Sequence, residues 1–327
     1  MHHDHPSRLP LTSISDLLAA VPYLLGFHPA DSLVTVGLTG KRVTVAGRAD
    51  LPEPATVTDW VHVAARQHLA LLRNVDATTA ILIGYGPATA VTPVIDALTP
   101  HVEAAGITVL DALRVTDGRY HSYRCQDPRC CPPDGTPFDP HHNPTALHAI
   151  VAGQTALPDR AALVASVAPT SSAAMTAATR RAQQRRLTVL TAAGRAGVIR
   201  AGQQAVNEAV ATYGAGNVLT DDEAAWLTVL LIDIAVRDLA SEATGTEAWH
   251  LSLWTDLTRR ADPHLAAAPA SLLAFTAWRQ GQGALAAVAL DRALAADPDY
   301  RLARLIDHAL RHGIPPTALN DEPDPTL

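Results

Sequence analysis

Thr79-Ala80-Ile81-Leu82-Ile83-Gly84-Tyr85-Gly86-Pro87 is the stretch on which the fold class turns. Its apolar core, closed by a Gly-x-Gly-Pro turn, reads as a buried strand over Thr79 to Tyr85. Downstream, Pro87 to Ala105 has helical spacing and Ile107 to Val115 is again strand-like. A helix of more than ten residues between two strands is a crossover connection, which lays the strands side by side and parallel.

Working upstream, Val57 to Arg73 reads as a helix, preceded by two β-rich runs, Leu33 to Leu38 and Arg42 to Ala49. These flank Thr39-Gly40-Lys41, a short Gly-containing connection that predicts a hairpin. Ser13 with Asp16 three residues later forms a capping-box pattern that opens a helix running into Pro22 and stopping near Gly26. Downstream of the second core strand, Asp117-Gly118 turns the chain into Arg119 to Arg124. Hairpin strands beside a crossover pair predict a mixed-sheet α/β domain, assigned to residues 1–142.

After Pro140 the strand pattern ceases, and everything from Asn143 onward reads as helical. Thr220 with Glu223 makes a second capping box before Trp226, Leu227, Leu230, Leu231 and Ile234. Leu302, Leu305, Ile306, Ala309 and Leu310 repeat at helical spacing up to Gly313. Gly283 to Tyr300 resembles the second helix of a tetratricopeptide repeat, with small Ala286 and Ala289 and a closing Asp297-Pro298. Asp297 can cap and Pro298 can enter the first turn of the next helix. One such unit is too few for a solenoid, so the expectation is a helix hairpin packed on its neighbours. The helical domain is assigned to residues 143–319, and the acidic, Pro-containing segment 320–327 is expected to be a disordered tail.

Composition narrows the function classes. The 327 residues carry a formal net charge of −7, with Lys41 the only lysine. That balance argues against a surface built to hold nucleic acid. Arg160 to Asn207 lacks any Asp or Glu and contains Arg180, Arg181, Arg185 and Arg186. On a helix these fan around the circumference and no aromatic lies among them, so a solvated helix or an acidic protein surface suits them better than bases. The amino terminus lacks a basic n-region, and no apolar run reaches the length of a membrane span. A soluble cytoplasmic protein is expected, because three cysteines within seven residues are not a secreted disulfide framework.

Three groups of residues could carry chemistry. Cys125, Cys130 and Cys131, with His121 upstream and His141 and His142 downstream, supply zinc-type ligands, but not at zinc-ribbon spacing. Adjacent Cys130 and Cys131 are expected to point apart, which disfavours joint ligation. A disulfide from Cys125 to Cys130 or Cys131 and a nucleophilic cysteine beside His121 are the other active readings. The density of prolines favours a rigid loop in which small buried thiols pack. Second, Tyr85 and Gly86 end a strand where helix amides could receive an anion, and Asp111 lies one unit onward as a ribose-binding acid would. Thr89 in place of the third fingerprint glycine, and Pro87, weaken that pattern. Third, Asp31 and Ser32 between Pro29 and the first strand read as turn formers before ligand contacts.

Leu24-Leu25-Gly26-Phe27, Asp31-Ser32-Leu33-Val34 and the Cys130-Cys131-Pro132 loop are together similar to the Domain of Unknown Function 4192 family. Weaker echoes are Gly84-Tyr85-Gly86-Pro87, Ala277-Trp278 followed by Gly281, and Ala293 to Pro298. The resemblance implies a two-part bacterial protein, known mostly from actinobacteria, with no agreed catalytic residues. The leading expectation is a binding or regulatory protein whose helical domain meets a protein partner and whose thiol loop fixes the domain junction. The alternative is an enzyme or nucleotide-binding protein with a pocket at the carboxyl edge of the sheet, where Tyr85, Gly86, Asp111, Arg119 and the cysteines would converge.

Overall fold

The structure is a computed structural model that describes residues 12–319 except Lys41 and Ser171. The expected acidic tail 320–327, the residues at the amino terminus and Lys41 of the hairpin turn lie outside the described residues, as does the side chain of His141. The chain divides into two compact units, residues 1–162 with 311–327, and residues 163–310.

In the first unit, α1 (Ile14–Leu25) is followed by β1 (Ser32–Thr39), β2 (Arg42–Asp50), α2 (Val57–Arg73), β3 (Thr79–Tyr85), α3 (Ala88–Ala104) and β4 (Thr108–Thr116). Then come β5 (Arg119–Ser122), β6 (Thr136–Pro137) and α4 (Pro144–Val151). The six strands form one sheet in the order β2-β1-β3-β4-β5-β6. Only β3 and β4, joined through α3, pair in parallel; the other neighbours are antiparallel. This is the mixed α/β sheet that the strand–helix–strand pattern implied. The Ser13 capping box forms as expected, and Gly26 closes α1 in the left-handed conformation at φ 81°.

α2 and α3 bury their apolar faces on the sheet through Ala65, Leu72, Val91, Val94, Leu98 and Val102, which meet Leu33, Ala80, Leu82 and Val109. Close approach is set by Gly84. A Cβ there would lie 2.2 Å from Val91 Cγ1, so only glycine lets α3 sit this near β3. α1 packs with α4 and also meets β2. Residues 311–319 belong to this unit: Asn74 Nδ2 donates to His312 O at 2.5 Å. The sequence draws its boundary at 142, where strand periodicity ends; compactness draws it at 162, because α4 packs on α1.

The second unit is helical, comprising most of α5 (Arg160–Ser166), then α6 (Ala173–Gly214), α7 (Asp221–Leu230), α8 (Ile234–Glu242), α9 (Ala248–Arg260), α10 (Ala267–Arg279), α11 (Gly283–Ala296) and α12 (Arg301–Arg311). α6 breaks at Gly194, where φ is 63° and ψ −168°. Its arginines meet acids of the same unit. Arg181 pairs with Asp222 at 2.6 Å, Arg195 with Asp233 at 2.8 Å, and the Arg185 guanidinium lies 4.1 Å from the Trp226 ring centroid. The tetratricopeptide-like hairpin is α10 and α11. Ala286, Ala289 and Ala293 are fully buried along α11, and side chains this small let the two helices close on each other.

Four local expectations are corrected. Trp226 to Ile234 is not one helix: α7 ends at Leu230 and Asp233 caps α8, its carboxylate accepting from the Ala235 N–H, which leaves Ile234 exposed. The α12 stripe is rotated toward Ala303 and Ile306, so Leu305, more than about 100° from that direction, is 58% exposed. Pro298 precedes α12 in an Asx turn in which Asp297 Oδ1 accepts from the Asp299 N–H, instead of standing in its first turn. The strand after Gly118 stops at Ser122, and β6 pairs with it outside any pattern visible in the sequence.

Candidate functional site at the thiol loop

The loop from Tyr123 to Gly135 leaves β5 and returns to its free edge as β6, with Tyr120 opposite Thr136 and Arg119 opposite Pro137. Side-chain anchors hold its start. The Ser122 hydroxyl donates to Asp111 Oδ1 at 2.7 Å and accepts from the Cys125 and Arg124 amides at 2.9 and 3.1 Å. Asp111 reaches this position because a bulge shifts the β3–β4 register between Val109 and Asp111, which throws Leu110 outward and re-aims the next side chain. Tyr123 Oη bonds Thr92 Oγ1 at 2.7 Å, and Arg124 pairs with Glu103 at 2.8 Å, tying the loop to α3.

The middle of the loop is a single turn. Cys130 and Cys131 both donate their amides to Asp127 O, at 3.2 and 2.8 Å, while the Asp127 carboxylate is held by Arg129. That turn brings the adjacent side chains to one side. Cys130 Sγ lies 3.7 Å from Cys131 Sγ and 3.0 Å from Cys125 Sγ, and all three sulfurs are within 4.8 Å of one another. The expectation that Cys130 and Cys131 point apart is therefore overturned. So is thiol burial: Cys130 is exposed, Cys125 and Cys131 are half-buried, and no disulfide joins them.

Gly135 closes the loop at φ 78°, and a Cβ there would lie 2.7 Å from His121 Nε2, so glycine is required by conformation and by contact. Arg119 Nη1 donates to Gly135 O at 2.6 Å and to Asp134 O at 3.3 Å. The result is a cleft of about 220 Å³ lined by Tyr120, His121, Ser122, Cys125, Cys131 and Thr136 among others. Burial, together with the Arg114 and Arg119 charges, lowers the His121 pKa, so the ring is the neutral imidazole that metals bind. The Cys125 and Cys130 sulfurs share a hydrogen bond at 3.0 Å, with the Cys131 thiol beside them. This lowers the Cys125 pKa, raises that of Cys130, and pushes Cys131 up to about 12. Three sulfurs that share protons in this way are a donor set that a divalent cation can take over by displacing the protons.

The candidate residues fall into two groups. Asp111 and Arg119 belong with the thiols, one through Ser122 and the other through the carbonyls of the loop. Asp31, Ser32, Tyr85 and Gly86 meet at the other place, where β1 starts beside the end of β3 and Ser32 pairs with Tyr85. There Asp31 holds φ 44° and its carbonyl accepts from the Leu51 amide at 2.9 Å. Ser32 Oγ donates to Ala30 O at 2.5 Å and accepts from Arg48 Nε at 2.8 Å. These are turn-forming contacts. Tyr85 is buried and its hydroxyl has no hydrogen-bond partner among the described residues. Of the downstream histidines, His142 pairs with Asp139 at 2.6 Å. Sequence reasoning missed Ser122 and Gly135; Ser-x-x-Cys and the Asp-Gly dipeptide were their only traces.

Among the described residues no helix is long and apolar enough to cross a membrane. No curated protein and no solved structure matches the chain. A family profile does match, over residues 15–317, and it takes in both the turn before β1 and the thiol loop. The chain belongs to the family described as Domain of unknown function (DUF4192).

Proposed function

We propose that this chain is a metal-binding protein in which Cys125, Cys130 and Cys131 hold one zinc ion as thiolates. The observation that carries the reading is the approach of three partly accessible sulfurs to within 4.8 Å of one another. Zinc–sulfur bonds of about 2.3 Å in a tetrahedron place sulfurs about 3.8 Å apart. The Cys130–Cys131 separation of 3.7 Å matches that edge, and Cys125 Sγ, 3.0 Å from Cys130 Sγ, would move outward by about 0.8 Å to admit the ion. His121 lines the same cleft and is the ligand type available for a fourth position. Asp111 and Ser122 stand behind Cys125 as the supporting layer that metal sites require.

The ion would act structurally, fixing a loop of otherwise irregular backbone, within a cytoplasmic binding or regulatory protein. A reducing compartment fits three unlinked thiols. A protein partner is proposed for the helical unit, supported by Leu187, Leu190, Ile232 and Ile234, all large, apolar and exposed. Nucleic acid is not proposed, because Arg181 and Arg195 are committed to Asp222 and Asp233. A carboxyl-edge enzyme pocket has less support, since Tyr85 and Gly86 do not join Asp111 and Arg119.

The test is elemental analysis with native mass spectrometry of protein purified without chelator. About one zinc per chain is expected, lost in Cys130→Ser and in Cys131→Ser. A metal-free protein that takes up no zinc at micromolar concentration would overturn the reading.

A further inference from the structure

We propose that the thiol centre is redox-gated: oxidation by a hydroperoxide joins Cys125 to Cys130 and ejects the ion. The inference rests on the metal reading above and names the regulation of that site.

Geometry selects the pair. Cys125 and Cys130 have the closer sulfurs, at 3.0 Å against 3.7 Å for Cys130 and Cys131. Closing to a disulfide bond of about 2.05 Å requires about 1 Å of movement from the 3.0 Å separation of the ion-free loop, and under about 2 Å from a zinc-bound edge. Cys130 and Cys131 are adjacent, so their Cα atoms are about 3.8 Å apart, under the roughly 4.4–6.8 Å span of ordinary disulfides. Cys125 and Cys131 make no sulfur contact as close as 3.0 Å and are placed only within 4.8 Å of each other, so Cys131 is left as the odd thiol. Access favours the same outcome, because Cys130 is exposed and Cys125 opens on the cleft.

The loop can close without unfolding. Its shape is held by bonds that involve no sulfur: Cys125 N to Ser122 Oγ, the Cys130 and Cys131 amides to Asp127 O, and Gly135 N to Pro132 O. The chemistry balances with one hydroperoxide. Two thiolates give up two electrons as the S–S bond forms, and the O–O bond of hydrogen peroxide breaks. Two protons taken up from the buffer complete the two water molecules released. The first step is a sulfenic acid, which the second cysteine resolves. One thiolate and one imidazole then remain, fewer than the four ligands of a stable zinc site.

The experiment treats the full-length, zinc-loaded protein with micromolar hydrogen peroxide. It follows zinc with a colorimetric chelator and maps disulfides by peptide mass spectrometry. Bound zinc is expected to fall from about one per chain to under about a tenth, in step with a Cys125–Cys130 link, and to return after thiol reductant and added zinc. Cys131→Ser should still form the link, whereas Cys130→Ser should not. Zinc retained by the oxidised protein, or a link that maps to another pair, would overturn the gating while leaving the metal reading intact. A protein that binds no zinc before oxidation fails the metal reading itself, and the gating falls with it.

Discussion

Replacing His68 with leucine is expected to remove most of the acid sensitivity of the sheet unit. His68 lies on the buried face of α2, its Nδ1 3.9 Å from where a Cβ on Gly47 would stand and without a hydrogen-bond partner among the described residues. Burial alone lowers its pKa from 6.5 to about 4. An unfolded chain therefore takes up a proton near pH 6.5, while the folded one resists until near pH 4. Between those values the unfolded state binds more protons, so stability is full above pH 6.5, declines as pH falls, and reaches its floor below about 4. At pH 5 the difference is about 2 kcal/mol, or about thirtyfold in the opening equilibrium. Hydrogen exchange of peptides from β1 through α3, corrected for intrinsic rates, measures that opening at pH 7 and pH 5. The wild-type ratio should exceed that of His68→Leu by about twentyfold, the other histidines cancelling in the comparison. Equal pH dependence in the two proteins would show that His68 is not held neutral by burial.

Gly84→Ala should lower the melting temperature through a cost of about 1–3 kcal/mol, with partial recovery when Val91→Ala is added, because the new methyl meets Val91 at 2.2 Å; an unchanged transition would refute the contact. Arg195→Ala should destabilise the helical unit by about 1–3 kcal/mol, since the Asp233 side chain is only 8% exposed and would lose its partner. Arg181→Ala should cost under about 1 kcal/mol, as both members of that pair are exposed; urea denaturation that ranks the two variants the other way would contradict this. Truncation after Ala266 should abolish cooperative unfolding of the helical unit, because α10 is buried along almost its whole length between α9 and α11. A soluble truncation with an unchanged melting profile would instead make the last helices an independent module.

The parts of the fold that the sequence disclosed are those governed by local periodicity. α2 has the bounds expected of it, as does β3, and α3 and β4 are each displaced by one residue at the ends. Capping at Ser13 and Thr220 was equally legible, since a cap needs only side chains three residues apart. Helix direction was harder to read. Leu305 fits an apolar stripe by spacing, but which side of α12 meets the unit depends on what packs there, and that side is centred on Ala303 and Ile306. Likewise, Ile234 looked continuous with Trp226 until Asp233 was seen to start a new helix.

For the site, composition pointed to the three cysteines and to His121, because soft ligands clustered in one loop are a chemical signal in any conformation. Their mutual geometry was a tertiary matter. Whether Cys130 and Cys131 diverge or share one side depends on two amides that converge on the Asp127 carbonyl. Asp111 suggested a ribose-binding acid by its distance along the chain; a bulge at Leu110 turns it toward Ser122 and makes it a support for Cys125. The sequence alone determined the element types, the order of a sheet unit before a helical unit, and the identity of the ligand-bearing loop, since each depends on neighbours within a few residues. Only the tertiary structure decided that β6 closes the sheet edge, that residues 311–319 rejoin the first unit, and that three sulfurs meet, because each requires segments distant in the chain, or a turn held by its backbone, to be fixed against one another.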